Sequence, residues 1–472
     1  QSVDFVNIQS GASLRRSEFL LYTCTKVDIM HNTSLLEGDS RRHILRLSMP
    51  LLIGNVLQQL YNTIDSLIIG KFLGTDAFSA VGIAGTVMNL FIFVLAGFCV
   101  GITILFGQMY GRNDQGSFRR EVFVSGTLGT IITIVLSCVF MLLMHPALRL
   151  INSPENLISY IESYLTVIIT GMVATFWYNL FSAILRGIGD TNASTLFLFV
   201  GIVVNAVLDY LFVGPMQFGV AGAAWATVIS QAVSAALSLV YILKRDRNLM
   251  CTRSDFKYER GMVHDTLVFG FSSALHQSSL YLGKIFVQGA VNLLGTSGIA
   301  AYTATMRIEG FANSFGTSYG AAVSVFISQN FGAKRIDRVR RGFRDSLIMA
   351  VLFGAAISTM LYFAALPGVR IFLDASETKA IAFGVDYLHT IAFVYTMCFT
   401  GNTFVGYFRG VSAVYTPLIA TTLHITVRAV LSYMLVGSMG LRAIAVSTGI
   451  GWLVMTLFQI SMVIYLKRKK NL

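Results

Sequence analysis

Charge is scarce in this chain. Only 12% of its 472 residues are Asp, Glu, Lys or Arg, against 55% hydrophobic residues and a mean hydropathy of +0.68. That balance excludes an ordinary soluble domain, because so much apolar surface needs lipid to cover it. Cysteine is sparse as well. Cys24, Cys99, Cys138, Cys251 and Cys398 have no paired spacing and mostly lie in apolar segments, so free thiols and no metal site are expected. His145 and His389 also lack spaced metal-ligating partners, and no nucleophile and base are spaced as an intramembrane enzyme would need. Residues 1–43 contain nothing like a targeting signal, the apolar run Phe19 to Tyr22 being too short for a signal-peptide core. Met30 opens a run leading directly into the first span, so residues 1–29 read as an upstream extension, and residues 1–43 are expected to be a largely disordered cytoplasmic segment.

What the chain has in abundance is long apolar runs. Twelve of them lie between residues 44 and 466, each long enough to cross a bilayer as a helix, which predicts an all-α membrane protein with twelve transmembrane helices. The net charge of +12 comes from short basic runs between these segments and not from one continuous stripe, so it orients the chain and does not bind nucleic acid. With the N-terminus in the cytoplasm, 24 Lys or Arg fall on the cytoplasmic side and 5 on the other. An even number of spans then puts both termini in the cytoplasm of a multi-pass protein of the plasma (inner) membrane.

The chain also repeats. Leu73-Gly74-Thr75 recurs as Leu294-Gly295-Thr296, and Gln108-x-x-Gly111 as Gln329-x-x-Gly332, each 221 positions on. Arg186-Gly187 matches Arg409-Gly410 at an offset of 223. This register predicts two pseudo-symmetric six-helix bundles, an N-lobe over residues 44–243 and a C-lobe over 262–466. A cytoplasmic loop, 244–261, joins them, and a basic tail, 467–472, follows. Six spans per half relate the halves by an axis along the membrane normal, with a binding site near their interface. The repeat also marks Gly187-x-Gly189 ahead of Asp190 as an interhelical turn and not part of a phosphate loop.

One acid stands out against this apolar background. At 100° per residue, Asn55, Gln58, Gln59, Asn62, Asp65 and Ser66 fall within roughly 120° on the first span. An ionisable group there is costly enough to read as functional, facing a bundle interior or a water-filled cavity. Asn205 and Asp209 stand four apart on the fifth span. Burial favours a neutral carboxyl and a neighbouring carboxylate favours it further, so Asp65 and Asp209 can hold a proton and release it when water or a cation enters. Oxygen ligands from Asp65, Asn205 and Asp209 suit a sodium ion equally. Gln59, Asn62, Tyr164, Tyr178, Asn179 and Ser182 are candidate cavity groups of the same lobe. In the second lobe the counterpart of Asp65 is Phe286, while Asn205 and Asp209 correspond to Arg428 and Ser432. That lobe instead offers His276, Gln277, Lys284, Arg307, Glu309 and His424. Lys284 lies deep in its span and either pairs with Asp65 or Glu309 or meets a substrate; Arg307 and Glu309 read as a structural polar cluster.

The stretches P-L-L-I-G-N-V-L-Q-Q-L-Y-N-T-I-D-S-L-I-I-G-K-F-L-G at 50–74, G-Q-M-Y-G-R at 107–112, L-R-G-I-G-D-T at 185–191, N-A-V-L-D at 205–209 and S-Q-N-F-G-A at 328–333 resemble the multidrug and toxic compound extrusion (MATE) family. The resemblance covers the chain from about residue 40 onward and implies a twelve-helix antiporter that is not an enzyme. Such proteins export cationic or amphiphilic compounds by alternating access, with a proton or sodium gradient in place of any cofactor. It further implies Asp65, Asn205 and Asp209 as coupling residues of the prokaryotic branch with an N-lobe acidic site, and Tyr164 as a hydrogen-bonding tyrosine of the fourth span. Membrane lipids and small-molecule drugs are then the expected partners of a monomer. His276, Gln277 and Lys284 stand where other branches carry an acid in the seventh span, which argues against a second-lobe sodium site. The alternative is a lipid-linked precursor flippase of the same superfamily, which Lys284, Arg307 and Arg428 would serve by recruiting phosphate.

Overall fold

Apolar runs of this length must satisfy every backbone group internally, and they do so as helices. A computed structural model describes residues 35–150 and 154–470, in which there are thirteen α-helices. The first six, forming the N-lobe, are α1 (Ser40–Gly111), α2 (Gln115–Leu150), α3 (Glu155–Thr170), α4 (Met172–Gly187), α5 (Thr191–Val213) and α6 (Gly219–Arg245). The C-lobe contains α7 (Arg260–Asn292), α8 (Gly295–Gly332), α9 (Ile336–Phe363), the short α10 (Ala365–Phe372), α11 (Thr378–Gly410), α12 (Tyr415–Met439) and α13 (Arg442–Lys470). The first two spans are continuous in α1 and part only at Gly74, whose φ of 84° lies in the left-handed region that glycine tolerates. Helices α3 and α4 form one span bent by 48°. Counted so, the described residues make twelve spans in two six-span bundles. By length and hydropathy alone only nine helices qualify among the described residues, or ten with the bent pair. The start of α1, α7 and α8 fall below that test, and each carries polar groups into the protein.

The backbone repeats with the sequence. Positive φ occurs at Gly74 and Gly295, Asn113 and Lys334, Gly189 and Ser412, and Gly219 and Gly440, each pair 221 or 223 positions apart. Gly187-x-Gly189 is the turn between α4 and α5. Between the lobes the same symmetry appears as reciprocal contacts on the side that bears the basic loops. A Cβ on Gly111 would run into the carbonyl of Gln329, and one on Gly332 into that of Gln108. The Gln108 amide donates to the carbonyl of Gly410 at 3.1 Å, and the Gln329 amide to that of Gly187 at 2.8 Å. Two equivalent glutamines thus tie each lobe to the other across the seam. Further along, α1 packs on α7 so closely that a Cβ on Gly97 would lie 2.7 Å from Ala274 Cα. Phe93 and Tyr281 also meet across the seam, their rings 5.4 Å apart, and Gly82, Thr86 and Asn89 of the N-lobe and Lys284, Phe311 and Phe315 of the C-lobe are exposed.

Two connecting segments are pinned. Helix α1 begins at Ser40, four residues before the expected boundary, and Leu35 just ahead of it is buried against the C-lobe. Arg338 donates to the carbonyls of Leu35, Glu37 and Gly38, and the Ser40 hydroxyl to Asp345 at 2.5 Å. Residues 1–34, and with them Cys24, lie outside the described residues; Cys99, Cys138, Cys251 and Cys398 are free thiols. In the 246–259 linker, Asp255 pairs with Arg119 at 3.0 Å, and Phe256 stacks on Phe123. Burial pushes the Asp255 carboxyl up, but hydrogen bonds from Thr252 and the Arg119 guanidinium outweigh it and hold the group below the ordinary carboxylate value.

Candidate ion and substrate site

The polar stripe of the first span divides between two neighbours. Its outer edge faces the seam, where the Asn55 amide donates to the Ser318 hydroxyl of α8 at 2.8 Å and Gln59, one turn on, is exposed. Asn62 belongs to the same edge by spacing, but its side chain lies outside the described residues. The inner edge, Gln58, Tyr61 and Asp65, turns into the N-lobe. Tyr61 and Thr227 share a hydrogen bond of 3.1 Å between their hydroxyls, and the Asn205 amide reaches the same Thr227 oxygen at 3.5 Å. Sequence reasoning missed Tyr61, although it stands one turn before Asp65 on the same face.

Asp65 and Asp209 meet here. Their carboxyl groups approach within hydrogen-bonding reach of each other. Asp209 is fully buried, and both of its oxygens and Oδ1 of Asp65 have no N–H or O–H donor among the described residues. A hydrogen bond between two carboxyls needs a proton on one of them, and two bare carboxylates packed without donors would repel. Asp65 also lines a cavity of about 280 Å³, together with Tyr164, Val81, Thr86, Met88 and Asn89. Tyr164 is buried beside the acids. Thr86 and Asn89 are polar positions in the apolar second span that sequence reasoning passed over; their exposure to this cavity comes from tertiary packing.

The other N-lobe candidates sit apart from the acids. Tyr178 lines a narrower void with Gln58, Tyr61 and Gln231. Asn179 donates its amide to the Thr175 carbonyl of its own helix at 2.8 Å, as short amides on helices commonly do. Ser182 bonds Ser194 at 2.6 Å, and Arg186 also reaches Ser194, placing this pair near the basic side of the lobe.

The C-lobe builds a different interior at equivalent positions. Tyr387, the counterpart of Tyr164, donates to Glu309 at 2.8 Å, and Glu309 is the counterpart of Met88. Arg428, the counterpart of Asn205, lies beside Tyr302 and Glu309, with its Nε buried and unpartnered. Glu309 and Arg428 are the charged groups beside Lys284. Arg307 is exposed and does not join Glu309, because residues two apart on a helix face different ways. His276 contacts Thr421 at 2.9 Å and Arg409 at 2.9 Å, with Gln277 beside it, and His424 stacks on Trp452.

Known proteins can be set against this geometry. The family model described as MatE matches the chain twice, over residues 50–211 and 273–434, one match in each lobe. A probable multidrug resistance protein of Bacillus subtilis is 29% identical over 370 residues, spanning 78% of this chain and 82% of its own. A probable multidrug resistance protein of Thermotoga maritima is 26% identical over 420 residues, spanning 84% and 86%. A crystal structure of MATE in complex with MaL6 superposes with a TM-score of 0.83 at 25% identity, covering 93% of this chain and all of that one.

Proposed function

Since the chain belongs to the multidrug and toxic compound extrusion family, a group of membrane transporters and not enzymes, we propose that it is a secondary-active antiporter exporting cationic or amphiphilic compounds in exchange for protons. The observation that carries this reading is the Asp65–Asp209 pair, three of whose oxygens are buried without a donor among the described residues, at the edge of a 280 Å³ cavity. A proton shared by the two carboxyls neutralises the pair; its loss leaves a negative cavity that holds a cation. Protonation from the outer side discharges the cation and lets the lobes re-close, and deprotonation on the inner side resets the pair. Tyr61, Thr227 and Asn205 position the acids, and Tyr164 orders the cavity wall. Sodium is the competing driver, held by the same Asp65, Asn205 and Asp209 oxygens.

In this reading the basic side faces the cytoplasm, the protein works as a monomer in the inner membrane, and the cleft is open outward. The flippase alternative rests on Lys284, Arg307 and Arg428. Arg428 is enclosed by Tyr302 and Glu309 and Arg307 lies apart, so a phosphate recruiter would have Lys284 alone, and the antiporter is the better account. The test is drug efflux from energised vesicles carrying wild type, Asp65→Asn or Asp209→Asn, with proton and sodium gradients collapsed separately. Efflux lost on proton collapse and in both variants supports the reading. Unchanged efflux in both variants, or loss on sodium collapse alone, overturns it.

A further inference from the structure

Helix α7 presents three faces, and only one of them is free for a substrate. His276 and Gly283 pack against α12, through Thr421 and Ile425. Leu275, Leu282 and Phe286 are exposed on a side roughly opposite Lys284 at 100° per residue, which suits lipid. Lys284 is exposed on the remaining face, within about 60° of Gln277, Tyr281 and Gln288. Tyr281 fixes where that face looks, because its hydroxyl donates to the Thr86 carbonyl of α1 at 3.0 Å. Thr86 also lines the cavity that holds Asp65. Lys284 therefore stands one helical turn beyond Tyr281, on the face of α7 that Tyr281 turns toward the helix lining the acid cavity.

Its charge is not consumed locally. Glu309 is the acid nearest in effect, but it already accepts from Tyr387 and lies beside Arg428. Two cations against one carboxylate leave a positive charge on this wall, facing the negative one made by Asp65 and Asp209. A small cation alone would gain from the first wall and be repelled by the second.

We propose that Lys284 is a specificity-determining residue that binds an anionic group, so that the preferred substrate is an amphiphile carrying a carboxylate or phosphate beside its cationic centre. This rests on the antiporter reading for the cation half of the site. The apolar part of such a molecule has Phe311 and Phe315 of α8 to lie against, both exposed and within about 60° of Ser318, which meets Asn55 of α1. Carboxylate and phosphate make the same charge-assisted contact with an ammonium, so the chemistry is shared and the source is left to experiment.

The experiment is displacement of a fluorescent quaternary cation from the purified full chain by three decyl amphiphiles below their micellar concentrations: a trimethylammonium, a carboxybetaine and a phosphocholine. In wild type at least one of the two zwitterions should displace the probe at about fivefold lower concentration than the plain cation, as expected for one added charge pair at an exposed lysine. Lys284→Gln should bring the three to within about twofold, because it removes the zwitterions' added contact and the plain cation's repulsion together, and Lys284→Arg should keep the preference. A preference confined to the carboxybetaine identifies carboxylate as the recognised group, and one confined to the phosphocholine identifies phosphate. Equal displacement by all three in wild type, or a preference that survives Lys284→Gln, overturns the proposal. Displacement needs no turnover, so failure of proton coupling at Asp65 would leave this ratio unaltered and show instead in the efflux assay.

Discussion

Asn205 and Arg428, Asp209 and Ser432, and Met88 and Glu309 stand at equivalent places in the two lobes, whereas Tyr164 and Tyr387 are the same residue in both. The N-lobe interior holds two acids, three of whose oxygens have no donor among the described residues, beside an open cavity. The C-lobe interior holds an arginine and a glutamate packed among tyrosines. Backbone features are shared to the residue, including the positive-φ turns and the paired Gln108 and Gln329 bonds across the seam. The difference teaches that the two halves share a scaffold while the chemistry at the same chamber differs. In the proposed function one lobe changes its charge and the other holds its charge fixed.

The sharpest way to break this comparison is to remove the fixed charge. Arg428→Leu strands Glu309 in the C-lobe and should cost roughly 3 kcal/mol of stability, seen as a large drop in the thermal midpoint of the detergent-purified protein. Asp209→Asn, which removes a group with no donors to lose, should cost under about 1 kcal/mol in the same assay. Equal losses would mean that both interiors are structural.

A smaller effect probes the shared scaffold. Gln108→Ala deletes two bonds across the seam, to the Gly410 carbonyl and the Ser412 hydroxyl, and Gln329→Ala deletes the one to the Gly187 carbonyl; at about 1 kcal/mol each, both should raise hydrogen exchange near residues 104–112 and 325–333, Gln108→Ala the more. If only one variant has an effect, the seam is not functionally symmetric.

The smallest effect lies in the linker. Asp255 titrates below its ordinary value in the folded protein, so its pairing stabilises the linker at neutral pH, and that contribution is lost as pH falls through the folded value. Proteolysis of residues 246–259 should therefore quicken only below about pH 4, and Asp255→Asn should abolish the pH step while costing about 0.5 kcal/mol or less.

Much of the fold was legible because it repeats. Gly74 and Gly295, or Gly219 and Gly440, can be paired by eye, and each pair marks a backbone position that turns the chain. The acids were legible because lipid makes any carboxylate expensive. What the sequence hid was direction. Periodicity put Asn55 and Asp65 in one stripe, but a helix wedged between a lobe interior and a seam has two polar edges, and only packing shows which side chain faces which. Asn179 and Ser182 looked like lining groups because a carboxamide or a hydroxyl reads the same whether it faces a cavity, its own backbone or a neighbouring serine. The link between Lys284 and Glu309, 25 positions apart on separate helices, was one of several options until the fold brought them together.

The central claim is that proton exchange resides in one lobe only. It is tested most directly by imposing a substrate gradient on sodium-free proteoliposomes with a weakly buffered, dye-loaded lumen and following lumenal pH. Wild type and Glu309→Gln should both move protons against the substrate, and Asp65→Asn should move none. A proton signal that survives Asp65→Asn, or that disappears in Glu309→Gln while remaining in Asp65→Asn, would contradict the account.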